Sequence, residues 1–143
     1  MRYNPRWPQV ESLRRGKTVK ILTQALTQAQ MEQEISNIVG FLQAMGIHDL
    51  NVSYGWGCDL DFDDLYQEKP LPLPDLLDFI LQSIQSGVFA FGEGDLYISS
   101  RHEEVEFILC HELDVHITSG DEKLALEVAS GWAERGYTYY EVK

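Results

Sequence analysis

Cysteine is scarce: the 143 residues hold two, Cys58 and Cys110. That excludes a disulfide-built scaffold and suits a reducing compartment, so a cytoplasmic location is expected. Long apolar runs are missing too. No stretch approaches the roughly 20 residues that a membrane helix needs, and the basic N-terminus is not followed by an apolar segment of signal-peptide type. Neither membrane attachment nor export is therefore expected. Basic side chains are few, 11 against 23 acidic, for a net charge of −12. An acidic body repels nucleic acid and anionic lipid and favours basic partners. The recurrent catalytic fingerprints are also lacking: there is no G-x-G-x-x-G, no Walker loop, no G-x-S-x-G and no C-x-x-C.

What is present is an ordinary globular composition, 44% apolar and 24% charged, on a chain of single-domain length. The charge is uneven. Residues 1–20 carry Arg2, Arg6, Arg14, Arg15, Lys17 and Lys20 against Glu11 alone, and Pro5 and Pro8 break up regular structure there. Residues 1–17 are therefore read as an irregular basic arm and 18–143 as one domain.

Hydrophobic periodicity orders that domain. Thr18 to Leu22 reads as a short strand. Met31, Ile35, Ile38, Val39, Leu42 and Met45 form one helical stripe, with Thr27 and Gln30 as a capping box and Gly46 as the stop. Leu50 to Phe62 alternates strictly between apolar and polar or glycine positions, so it reads as a strand that Gly55 and Gly57 bend or break. Lys69 to Pro74 holds three prolines and reads as an extended connection. A helix follows to about Ser86. Val88 to Phe91 and Leu96 to Ser99 read as a hairpin around Gly92 to Asp95. Val105 to Ile117 alternates without interruption and reads as one long strand. Ser119 with Glu122 resembles a capping box for a helix over 121–135, and 137–142 adds an edge strand. The expected fold is α+β: an antiparallel, meander-rich sheet with about three helices packed on one face and the other face open.

Two clusters could carry chemistry. Cys110-His111-Glu112-Leu113-Asp114-Val115-His116 contains every ligand type that zinc accepts. His111, Glu112 and His116 miss the helical zinc-protease pattern by one residue, and the local pattern is a strand. On a strand, His111 falls on the apolar face, while Cys110, Glu112, Asp114 and His116 share the polar one. Asp59, Asp61 and Asp63 resemble the start of a calcium loop, but Asp64 takes the glycine position and Pro70 the terminal glutamate position, which rules out an EF-hand. Tyr54 and Trp56 alternate inward and read as core.

If the two long strands lie in one sheet, Asp59, Asp61, Glu112, Asp114 and His116 share its open face. The leading expectation is then a binding module without cofactor that engages a protein partner of basic or mixed charge there, an inhibitor or immunity-type protein being one concrete form. The alternative is a metal-assisted hydrolase using those same five residues.

Overall fold

The computed structural model describes residues 18–100 and 104–142. The basic arm expected over 1–17 lies outside them. β1 (Val19–Thr23) leads to α1 (Gln28–Ala44), β2 (Asp49–Tyr54), β3 (Lys69–Pro72), α2 (Leu76–Gln85), β4 (Leu96–Ser100), β5 (Val105–Leu109), β6 (Val115–Ser119), α3 (Glu122–Glu134) and β7 (Tyr139–Val142). The strands form one seven-stranded sheet in the order β3-β2-β4-β5-β6-β1-β7. Every neighbouring pair is antiparallel. The α+β fold expected from the sequence is the one observed. No described helix is long and apolar enough to cross a membrane.

The helices cover one face because the strands alternate and the helices carry single apolar stripes. Val19 and Ile21, Leu50 and Val52, Leu96 and Ile98, Phe107 and Ile117 meet Ile35 and Leu42 of α1, Ile80 of α2, and Ala129 and Trp132 of α3 in one continuous core. α1 starts as its sequence dictates, with Gln30 N–H donating to Thr27 Oγ1 and Thr27 N–H donating to Gln30 Oε1. α3 is capped differently from the expectation. Asp121, not Ser119, accepts from Leu124 N–H, while the Ser119 hydroxyl binds back to Glu104 and accepts from Asp121 N–H.

Four further expectations are corrected. β2 ends at Tyr54, because Trp56 and Gly57 turn the chain with Gly57 at φ +83°. There is no room for a side chain at Gly57: a Cβ would sit 2.0 Å from the Glu93 carbonyl oxygen. Lys69–Pro72 is a strand after all, paired on one side only with β2. A proline-rich segment can occupy the edge of a sheet, where its missing N–H groups face away from the ladder. Val88 to Phe91 is not a strand, because Val88 and Phe89 N–H both bond to Ser83 O and fold the chain over the end of α2. Finally, Val105 to Ile117 is not one strand but the hairpin β5–β6. The count of three consecutive strands survives, made of different segments.

Candidate functional site

The hairpin turn organises the site. Leu109 pairs with Val115, which leaves Cys110 to Asp114 as a five-residue turn. Cys110 N–H bonds to Asp114 O at 2.9 Å and Leu113 N–H to Cys110 O at 3.0 Å. Leu113 takes φ +63°, the left-handed region that leucine enters at a cost of about 1–2 kcal/mol. Packing offsets that cost: Leu113 lies against Gly92 and the core, and its carbonyl accepts from Leu26 N–H.

Asp95, which precedes β4 and is buried, ties this turn to the loop after β2. Its Oδ1 accepts from His111 N–H and from His111 Nδ1, both at 2.8 Å. Its backbone N–H donates to Trp56 O, and its carbonyl accepts from Gly55 N–H. The Trp56 ring then rests on the His111 ring, with centroids 4.6 Å apart. His111 is therefore a turn residue held by Asp95 and not a member of the apolar face. Trp56 is 53% exposed and not core.

On the far side of the same turn, Asp114 Oδ1 lies 3.1 Å from His116 Nε2. Burial pushes the Cys110 thiol up to about 12, and the Asp114 and Asp95 carboxylates push in the same direction. Burial also opposes charge on Asp114, yet its pKa is held below the usual carboxylate range because the His116 hydrogen bond and charge, with the Cys110 thiol, outweigh that penalty. Ligating atoms of Asp95, Cys110 and His111 lie within 4.8 Å of one another, and so do those of Cys110, Asp114 and His116.

The five residues expected on the open face are not gathered there. Asp114 and His116 are together, and Glu112 is exposed at the turn with Oε1 3.7 Å from His111 Nε2. Asp59 and Asp61 sit in the loop beyond β2, exposed, and belong to neither cluster. The open face itself is mixed in charge. One row crosses it as Asn51, Ser99, Glu106, Thr118 and Lys20, the next as Ser53, Tyr97, Ile108, His116 and Leu22.

The loop of residues 55–68 supplies what the strands do not. It contains Asp59, Asp61, Asp63, Asp64 and Glu68 and no lysine or arginine. Buried Cys58 and half-buried Leu60, Leu65 and Tyr66 anchor it. Tyr66 N–H bonds to Tyr54 O, and Asp59 N–H to Val88 O. Between those anchors a single 3-10 turn, Phe62–Asp64, holds Phe62 outward at 88% exposure. An anchored loop that presents its phenylalanine to water is unlike ordinary packing, and the alternation at Phe62 gave no hint of it.

A buried polar group the sequence did not single out lies on the helix side. Glu34 of α1 accepts from Trp132 Nε1 at 3.0 Å, from Arg135 Nε at 2.8 Å and Nη2 at 3.0 Å, and from Asn37 Nδ2 at 2.7 Å. It borders a cavity of about 80 Å³ between α1 and α3. With every carboxylate contact satisfied, Glu34 is a structural clamp. Compared with protein-family models, with curated proteins and with solved structures, the chain finds no match.

Proposed function

We propose that this protein is a non-catalytic binding module whose docking surface is the end of the sheet formed by the 55–68 loop and the β5–β6 turn. The observation that carries the reading is Phe62, 88% exposed on an anchored acidic loop, with Trp56 half-exposed nearby in sequence. Exposed aromatics surrounded by charge are the composition of an interface hot spot with a polar rim. The rim is acidic: Asp59, Asp61, Asp63 and Asp64 on the loop and Glu112 at the turn. The partner is therefore a basic protein with an apolar pocket, drawn in by charge and held by the aromatic side chains. This retains Asp59, Asp61 and Glu112 in the contact surface and moves Asp114 and His116 behind it. The two free cysteines suit the cytoplasmic location expected from composition. The hydrolase reading has no such support, because Asp59 and Asp61 stand apart from the Asp114–His116 pair.

The test is a photo-crosslinking residue at position 62, with exposed Gln82 on the helix side as the control position. One discrete partner should be captured from position 62 and not from 82, and capture should weaken as salt is raised. Phe62→Ser should weaken the isolated complex by about 2 kcal/mol, roughly 30-fold. Equal capture from both positions, or binding indifferent to Phe62→Ser, would refute the reading.

A further inference from the structure

We infer that Cys110, Asp114 and His116 form a binding site for a divalent ion of the zinc class. The inference is independent of the docking surface. Their sulfur, carboxylate oxygen and imidazole nitrogen lie within 4.8 Å of one another, and Asp114 Oδ1 and His116 Nε2 are 3.1 Å apart. Around a tetrahedral zinc with bonds of about 2.0–2.3 Å, neighbouring ligand atoms stand roughly 3.3–3.6 Å apart. Small side-chain adjustments therefore close the site.

The fold itself creates this proximity. Cys110 and Asp114 are the first and last residues of the turn, joined by the Cys110 N–H to Asp114 O bond. His116 lies two residues further along β6 and so points to the same face as Asp114. Cys110 and Asp114 are 8% and 7% exposed, so a cation here would meet little competition from water. Among the described residues, the side chains that answer the Asp114 carboxylate are His116 and Cys110, not a lysine or arginine. His116 offers Nε2, the nitrogen beside the Asp114 carboxylate, as its ligand atom.

The adjacent group of Asp95, Cys110 and His111 is the weaker ligand set, because Asp95 Oδ1 is already taken by two nitrogens of His111. Its place is the outer shell. His111 Nδ1 lies 3.8 Å from Cys110 Sγ, but its proton goes to Asp95 Oδ1 at 2.8 Å, so the Asp95–His111 pair serves to hold the turn that positions Cys110. The donor set decides the ion. One sulfur, one nitrogen and one carboxylate suit zinc, whereas calcium and magnesium require mostly oxygen. On binding, the Cys110 S–H bond breaks, the proton leaves to solvent and the sulfur bonds to the ion. Three protein ligands leave a fourth position for water or for a donor from another molecule.

Cobalt(II) titration of the chelator-treated full chain tests this. One equivalent should give a thiolate-to-cobalt charge-transfer band with tetrahedral visible bands, and zinc should displace it. Cys110→Ser should abolish the charge-transfer band, and Cys58→Ser should leave it. Asp114→Asn and His116→Gln should each weaken binding by at least the roughly 10–100-fold that loss of even an outer-shell partner costs. No band, a band that survives Cys110→Ser, or wild-type affinity in both Asp114→Asn and His116→Gln would overturn the inference. The last two variants decide it even if Cys110→Ser fails to fold.

Discussion

Asp95→Ala is the most informative single change at the sheet end. The Asp95 side chain is 4% exposed and accepts twice from His111, whose own side chain is 35% exposed. A hydrogen bond to a charged group contributes about 1.5–3 kcal/mol when buried. The bond to His111 N–H is of that kind. The bond to the imidazole is worth less, because water can reach the ring once Asp95 is gone. Alanine should therefore cost about 2.5 kcal/mol, and asparagine, which retains an acceptor for the backbone N–H, about half of that. With an unfolding entropy of about 2.1 cal/mol/K per residue, a chain of 143 residues loses roughly 3 °C in Tm per kcal/mol. Asp95→Ala should melt about 8 °C lower. The loss should also be local: freed from Asp95, the turn no longer holds His111 against Trp56, so amide exchange at His111 should accelerate and Trp56 emission should change. Urea denaturation followed by tryptophan fluorescence and hydrogen exchange reads both effects. A destabilisation below about 0.5 kcal/mol, with His111 exchange unchanged, would refute the view that Asp95 pins the turn to the loop.

Three other outcomes are expected. Glu34→Ala leaves Trp132 Nε1 without its acceptor in the core and should cost about 3–5 kcal/mol in urea unfolding, with Glu34→Gln costing less; equal effects would show that charge, not geometry, sets the clamp. Cys58 and Cys110, pushed up to about 11 and about 12 chiefly by burial, should resist thiol reagents. At pH 8 only about one Cys110 in ten thousand is thiolate, against roughly one in four for a free cysteine, so labelling should await unfolding. The folded state holds Asp114 below its ordinary 3.8, so its contribution is present above that value and is lost as pH falls through the lower folded value. Acid titration of the urea midpoint should show a steeper fall for wild type than for Asp114→Asn.

The helix side of the fold was legible because its signals are local. The Thr27–Gln30 box, the apolar stripe of α1 and the glycine stops each act within a turn of chain. β3 was not, because a run with three prolines resembles a connection unless the sheet offers an edge, and strand order is not written in any local window. Val88 to Phe91 has strand composition, but the Ser83 carbonyl at the end of α2 accepts the N–H groups of Val88 and Phe89 and folds the chain away from the sheet. Alternation carried as far as Phe62 would place it on the apolar face with Tyr54, but the Gly55–Gly57 turn ends the strand and with it the meaning of parity.

The β5–β6 hairpin makes the general point about parity. Its turn has five residues, so Leu109 and Val115, which face each other across the hairpin, also share odd numbering. An odd turn leaves the apolar and polar positions in phase on both sides. Period-2 alternation therefore cannot distinguish such a hairpin from one long strand, and the usual glycine or asparagine signal is missing because leucine takes the left-handed position. The even positions still share a face, which is why grouping Cys110, Asp114 and His116 survives the correction. Their separation does not survive it. Along a continuous strand Cys110 and Asp114 would stand roughly 13 Å apart, too far for one ion. Folding that stretch into a turn brings their ligating atoms within 4.8 Å. The same residues, in the same order and on the same face, thus pass from a dispersed polar stripe to a metal-sized cluster through the conformation of one leucine.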